Sequence, residues 1–161
     1  MSKNLVIDIS RCTGCGYCEL ICSFTHHREF NRLKSRIQVS VFLEKQLAVP
    51  VVCHQCEDPW CMKACPAGAL SVESGESGEV RMIVVDKDKC VGCKMCTLAC
   101  PFGCIAIGDQ GYAEKCNLCH GDPQCVKFCR AGALRFEDPQ TSLAFKKKSV
   151  AERLAASYQE V

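Results

Sequence analysis

Apolar residues along this chain come in short runs, several alternating with polar ones, and each is cut off by glycine, proline or cysteine. Candidate strands fall at residues 5–9, 36–43, 47–52 and 80–85, with shorter pieces at 70–73, 105–107 and 134–137. The polar stretch SFTHHREFNRLKSRI at 23–37 reads as the extension of a first helix to a turn near Asn31. SGESGE at 74–79 reads as a hairpin loop. Beyond Glu137 the pattern changes: Ser149 and Glu152 fit a capping box behind the basic run 146–148. Val150, Leu154 and Tyr158, with Ala151 and Ala155 beside them, then form one apolar stripe on a helix of about three turns. No run nears the ~18 apolar residues of a membrane helix, so the chain is expected neither to span nor to anchor itself.

These strands are too few and too short to give 161 residues a sufficient core, and the seventeen cysteines point to what supplies the difference. Residues 89–101, KCVGCKMCTLACP, place Cys90, Cys93, Cys96 and Cys100 at C-x2-C-x2-C-x3-C with Pro101 behind them. This is the ligand run of a bacterial ferredoxin cluster: three close thiolates wrap one iron-sulfur cube, and the fourth reaches a different one. Cys12, Cys15, Cys18 and Cys22 repeat the spacing. In Cys53, Cys56, Cys61 and Cys65 the middle gap opens to four residues, and in Cys116, Cys119, Cys125 and Cys129 to five. CPAGAL after the second group parallels CRAGAL after the fourth, so the chain reads as four copies of one half-ferredoxin, with each cluster contributing folding free energy. The apoprotein is expected to be largely unfolded. Zinc sites space their cysteine pairs farther apart, which leaves a zinc-bound structural protein as the rival from another class.

Residues 1–10 contain no apolar signal core and no twin arginine, so the expectation is a cytoplasmic protein with reduced cysteines rather than a disulfide scaffold. The formal charge of +2 counts thiols as neutral. A cube with four thiolates carries roughly −2 oxidised and −3 reduced, so the loaded protein would be acidic. Arg11, Lys63, Lys89, Lys94, Lys115, Lys127 and Arg130 flank the groups and could offset part of that charge or form a solvated face. They make no nucleic-acid patch.

The four groups in this order resemble the four-cluster, ferredoxin-like electron-transfer subunits of molybdenum and tungsten oxidoreductases, formate dehydrogenases and dimethyl sulfoxide reductases among them. The opening CTGCGYCELICSFTHHREFN…SRI looks more particularly like the small iron-sulfur subunits of tungsten aldehyde oxidoreductases. The resemblance implies an α+β fold of two nested dicluster units: an outer one of residues 1–35 and 111–138, an inner one of 36–110, and a docking tail of 139–161. It implies four 4Fe-4S clusters with crossed ligation. Cys12, Cys15 and Cys18 would hold one with Cys129, and Cys116, Cys119 and Cys125 another with Cys22. Cys53, Cys56 and Cys61 would hold a third with Cys100, and Cys90, Cys93 and Cys96 the fourth with Cys65. The implied partners are a catalytic molybdenum or tungsten subunit and a flavin subunit or ferredoxin. Self-association end to end is a further expectation; nucleic acid and membrane are not expected.

Cys104 is the cysteine without a group. It aligns with the second alanine of the two AGAL repeats, which predicts a small buried hydrophobe rather than a redox-sensing thiol. His26, His27, His54 and His120 are read as loop residues that at most tune a cluster by hydrogen bonds to sulfur. Trp60, Phe102 and Phe128 are expected to shield clusters from water. No carboxylate pair, nucleophile-base set or phosphate loop stands out, so the expected role is a non-catalytic wire. Service to a formate dehydrogenase, a hydrogenase or a carbon monoxide dehydrogenase is the alternative.

Overall fold

A computed structural model describes residues 3–75 and 78–138, and in the tail residues 140, 141, 147, 150, 151 and 155. The chain ends of the body meet: β1 (Asn4–Ile7) pairs antiparallel with β8 (Leu134–Glu137), Asn4 opposite Glu137 and Ile7 opposite Leu134. Three hairpins account for the other strands among the described residues: β2 (Ile37–Phe42) with β3 (Leu47–Val52), β4 (Leu70–Ser74) with β5 (Arg81–Val85), and β6 (Ile105–Ile107) with β7 (Ala113–Lys115). The first is fastened at its open end, where paired Ile37 and Val52 are buried, while Val41, Phe42 and Leu43 at its tip are exposed.

Each cysteine group leads into a helix: α1 (Tyr17–His27), α2 (Trp60–Lys63), α3 (Met95–Ala99) and α4 (Gln124–Lys127). Proline at 66 and 101, just behind the last cysteine, forbids α2 and α3 to run on. Ser23 takes that position in the first group and lets α1 continue to His27, where Arg28 closes it in the left-handed conformation. Buried Ser23 then ties the helix down: its hydroxyl donates to the Leu20 carbonyl at 2.9 Å and accepts from the Asn31 amide at 3.1 Å. Buried Glu19 holds the same segment from the other side, accepting from the Arg32 guanidinium at 2.6 Å and the Val39 amide at 2.9 Å.

Helices of four or five residues do not persist alone, since about 12 to 15 residues are needed even in favourable sequences. They are held by packing, α1 on α4 and α2 on α3. One core joins Cys18, Cys22 and Cys125 to Ile37, Val52 and Leu134; a second joins Cys61 and Cys96 to Leu70, Ile83, Ile105 and Ala113. A smaller cluster is formed by Val80, Met82 and Leu118. The result is a small α+β fold of short strands and helices. In the tail, Val150, Ala151 and Ala155 are helical and exposed. Ser149, Glu152, Leu154 and Tyr158, which complete the expected capping box and stripe, lie outside the described residues.

Candidate metal centre

The residue before the second cysteine of every group has a left-handed backbone: Gly14 at φ 69°, Gln55 at 49°, Gly92 at 66° and Leu118 at 52°. Gly92 has no alternative, because a Cβ there would lie 2.3 Å from the Gly111 carbonyl oxygen. Gln55 and Leu118 are held against their own preference, Leu118 by complete burial and Gln55 by hydrogen bonds. A second turn follows the last cysteine, at Gly68, Gly103 and Gly132, all at positive φ. It aims the next amide backward, so Ala69 N–H donates to Cys65 Sγ at 3.3 Å and Cys104 N–H to Cys100 Sγ at 3.4 Å. The Arg36, Ala113 and Leu118 amides likewise reach Cys22, Cys90 and Cys116.

The sulfurs surround cavities that draw on two groups each. Cys53, Cys56, Cys61 and Cys100 line one of about 340 Å³. Cys12, Cys15, Cys18 and Cys129 line a second, and Cys22, Cys116, Cys119 and Cys125 a third. Cys65 and Cys90 stand close enough to Cys96 to act on its thiol electrostatically, and Cys93 of the same group is exposed. Among the described residues no three His, Cys, Asp or Glu side chains converge on a point that would hold a single ion.

Burial pushes the thiols of Cys18 and Cys116 up to about 12 and that of Cys125 higher still, so without metal these groups stay protonated at neutral pH. Holding an iron-sulfur core would require these cysteines as thiolates, which the amides aimed at sulfur would stabilise. Sulfur-only donors around cavities with inward-pointing N–H groups fit an anionic iron-sulfur cube. The residues that could hold cubes are the sixteen cysteines of the four groups, in the sets just described.

Other residues are less uniform. His26 approaches sulfur, with Nε2 3.8 Å from Cys119 Sγ, and burial lowers its pKa to about 4, so the ring is neutral. His27 faces Glu114 at 3.2 Å, His54 packs on Phe102, and His120 meets the Asn117 side chain at 2.9 Å. Trp60 and Phe102 line the cavity of the second group but are 65% and 47% exposed, so they cover it on one face only, while Phe128, 50% exposed, lines a separate groove with Tyr17, Ile21 and Phe30. Cys104 is half-buried, unlike Ala69 and Ala133, because it sits on the cavity wall and its thiol donates to the Phe102 carbonyl. Of the seven flanking basic residues, six are exposed and Lys115 is buried.

Sequence reasoning overlooked Gln55 and saw Lys115 only as one of seven charges. The available signals were positional: Gln55 stands where the first and third groups have glycine, and Lys115 directly precedes a cysteine, as Arg11 and Lys89 do.

Residues 45–139 match the family described as 4Fe-4S dicluster domain, and residues 9–25 match a 4Fe-4S binding domain. The putative electron transport protein YsaA of Escherichia coli is 36% identical over 151 residues, 86% of this chain and 91% of that protein. The polyferredoxin-like subunit of an aliphatic sulfonate oxidoreductase of Pyrococcus furiosus is 38% identical over 126 residues, 78% of this chain and 70% of that one. The putative oxidoreductase UacF of Escherichia coli is 33% identical over 99% of this chain, which spans only 26% of the length of UacF.

Proposed function

We propose, because the chain belongs to the 4Fe-4S dicluster family, that it is the electron-transfer subunit of an oxidoreductase complex, wiring a catalytic subunit to a second redox partner through four clusters. The observation that carries this reading is the drawing together of cysteines from sequence-distant groups around common cavities, Cys22 with Cys116, Cys119 and Cys125 above all. Bound clusters supply one-electron storage. The chain's own residues set spacing, exclude water and direct N–H groups at the sulfurs. Crossed ligation makes α1 a strut between two clusters, through Cys18 and Cys22, and α2 with its exit a strut between two more, through Cys61 and Cys65. The first and fourth groups then form an outer unit and the second and third an inner one.

The wire has two ends. Cys15 and Cys93 are the exposed cysteines of the chain, and they belong to different sets. Neither Cys22, Cys116, Cys119 and Cys125 nor Cys53, Cys56, Cys61 and Cys100 includes an exposed member, so those sets make the middle. Electrons enter at one exposed end and leave at the other.

The names of relatives support a partnership with a larger redox enzyme: one is a subunit of an oxidoreductase, and in UacF the similar stretch is a quarter of a longer chain. The catalytic partner in this reading carries tungsten or molybdenum and oxidises an aldehyde, and the second partner is a flavin subunit or a ferredoxin. The tail at 139–161 docks on the catalytic subunit or on a second copy of this chain. Anaerobic affinity purification followed by metal analysis and identification of co-purifying chains tests it. A brown complex containing iron with tungsten or molybdenum is expected; a colourless zinc protein contradicts the proposal, and an iron-rich complex with neither metal contradicts its choice of partner.

A further inference from the structure

Lys115 is the exception among the basic residues beside the cysteine groups. Strand β7 alternates, sending Ala113 and Lys115 inward, and Lys115 is only 3% exposed. Its ammonium uses all three donors: to the Ile83 carbonyl at 2.8 Å, the Cys116 carbonyl at 3.0 Å and Gln55 Oε1 at 3.4 Å. Every acceptor is neutral. None of the ion pairs found among the described residues includes Lys115. A lysine withdrawn from water with its hydrogen bonds made but its charge unmatched is a costly placement, and proteins accept it where a negative charge stands nearby.

The surroundings name that charge. Lys115 lines the cavity of Cys53, Cys56, Cys61 and Cys100, and in sequence it directly precedes Cys116 of the neighbouring set. It therefore lines the first cavity directly and adjoins the second through Cys116, whose carbonyl its ammonium holds. Gln55 fixes its direction, because Oε1 also accepts from the Ile83 amide at 2.9 Å while Nε2 donates to the Cys116 carbonyl at 2.7 Å. Loaded with cubes, both cavities are anionic, and each gains one further negative charge on reduction. A fixed cation in a low-dielectric wall stabilises the reduced state more than the oxidised one. We propose that Lys115 is the built-in counter-charge of these two clusters, raising their reduction potentials and easing electron passage between the second and fourth cysteine groups.

This inference rests on the cluster reading above, and the two fail differently: that reading fails if wild-type protein holds no iron, this one if loaded variants keep wild-type potentials. The test compares Lys115→Gln, which removes the charge, with Lys115→Arg, which keeps it, in the full chain assembled anaerobically. Dithionite titration followed by electron paramagnetic resonance reads the potentials. Lys115→Gln should hold wild-type iron and shift one or two clusters to more negative potential, and Lys115→Arg should leave them near wild type. Unchanged potentials in iron-loaded Lys115→Gln overturn the proposal. If Lys115→Gln loses iron, iron retained in Lys115→Arg still supports a role for charge, whereas loss in both variants shows a packing role and also overturns it.

Discussion

The side-chain amide of Gln55 donates to the carbonyl oxygen of Cys116 at 2.7 Å, joining two cysteine loops that stand 61 residues apart. The oxygen of the same side-chain amide, Oε1, accepts the Ile83 amide at 2.9 Å in a buried setting. Gln55→Gly would relieve the left-handed backbone, a gain of about 1 to 2 kcal/mol. It would also delete these two bonds, together with the longer one from Lys115 Nζ, and strand the buried Ile83 amide, the losses worth about 1 to 3 kcal/mol each. The expected net effect is a destabilisation of about 2 kcal/mol, read as earlier bleaching of the loaded protein in denaturant. A variant as stable as wild type would show that the loop needs only its turn.

Cys104 lines the same cavity as Cys53, Cys56, Cys61 and Cys100, so the cavity offers five sulfurs to a cube that takes four. The bond that Cys104 makes to Cys100 comes from its backbone and survives truncation of the side chain. Cys104→Ala should therefore keep wild-type iron content and an unchanged electron paramagnetic resonance spectrum. Loss of a whole cluster would transfer ligand status to Cys104.

Crossed ligation is tested by Cys22→Ser. Cys22 follows Cys18 by one helical turn, yet it lies in the cavity of Cys116, Cys119 and Cys125. The substitution should perturb the cluster of the fourth group and leave that of Cys12, Cys15 and Cys18 in place, as read by the individual spectral signals. A change confined to the latter would refute the crossing.

Removing the metal should unfold much of the chain. Three of the helices have four or five residues, and both larger cores count cysteines among their members. Anaerobic chelation under denaturant-free conditions is expected to reduce far-ultraviolet dichroism together with the charge-transfer absorption, since metal binding is folding free energy in such a site. Native dichroism in iron-free protein would contradict this.

Much of the fold is legible in the residues because its elements are bounded by cysteine, glycine and proline. Strands at 47–52, 105–107 and 134–137 coincide with the observed ones. β7 was not legible: Ala113, Glu114 and Lys115 carry no strand preference, and they are extended only because β6 pairs with them. Lys115 looks like any solvated lysine in sequence, and its burial follows from that tertiary pairing. Gln55 shows the same limit, since a glutamine in a glycine position has a meaning only once the Cys116 carbonyl is beside it. Trp60, by contrast, looks like a shield in sequence and proves largely exposed, because the short α2 that carries it lies at the surface.

Iron and acid-labile sulfide analysis of anaerobically prepared wild-type protein tests the central claim most directly. Four complete cysteine sets predict about sixteen irons per chain, with sulfide in equal number. A reproducible value near twelve or below in fully loaded protein would contradict the four-cluster account.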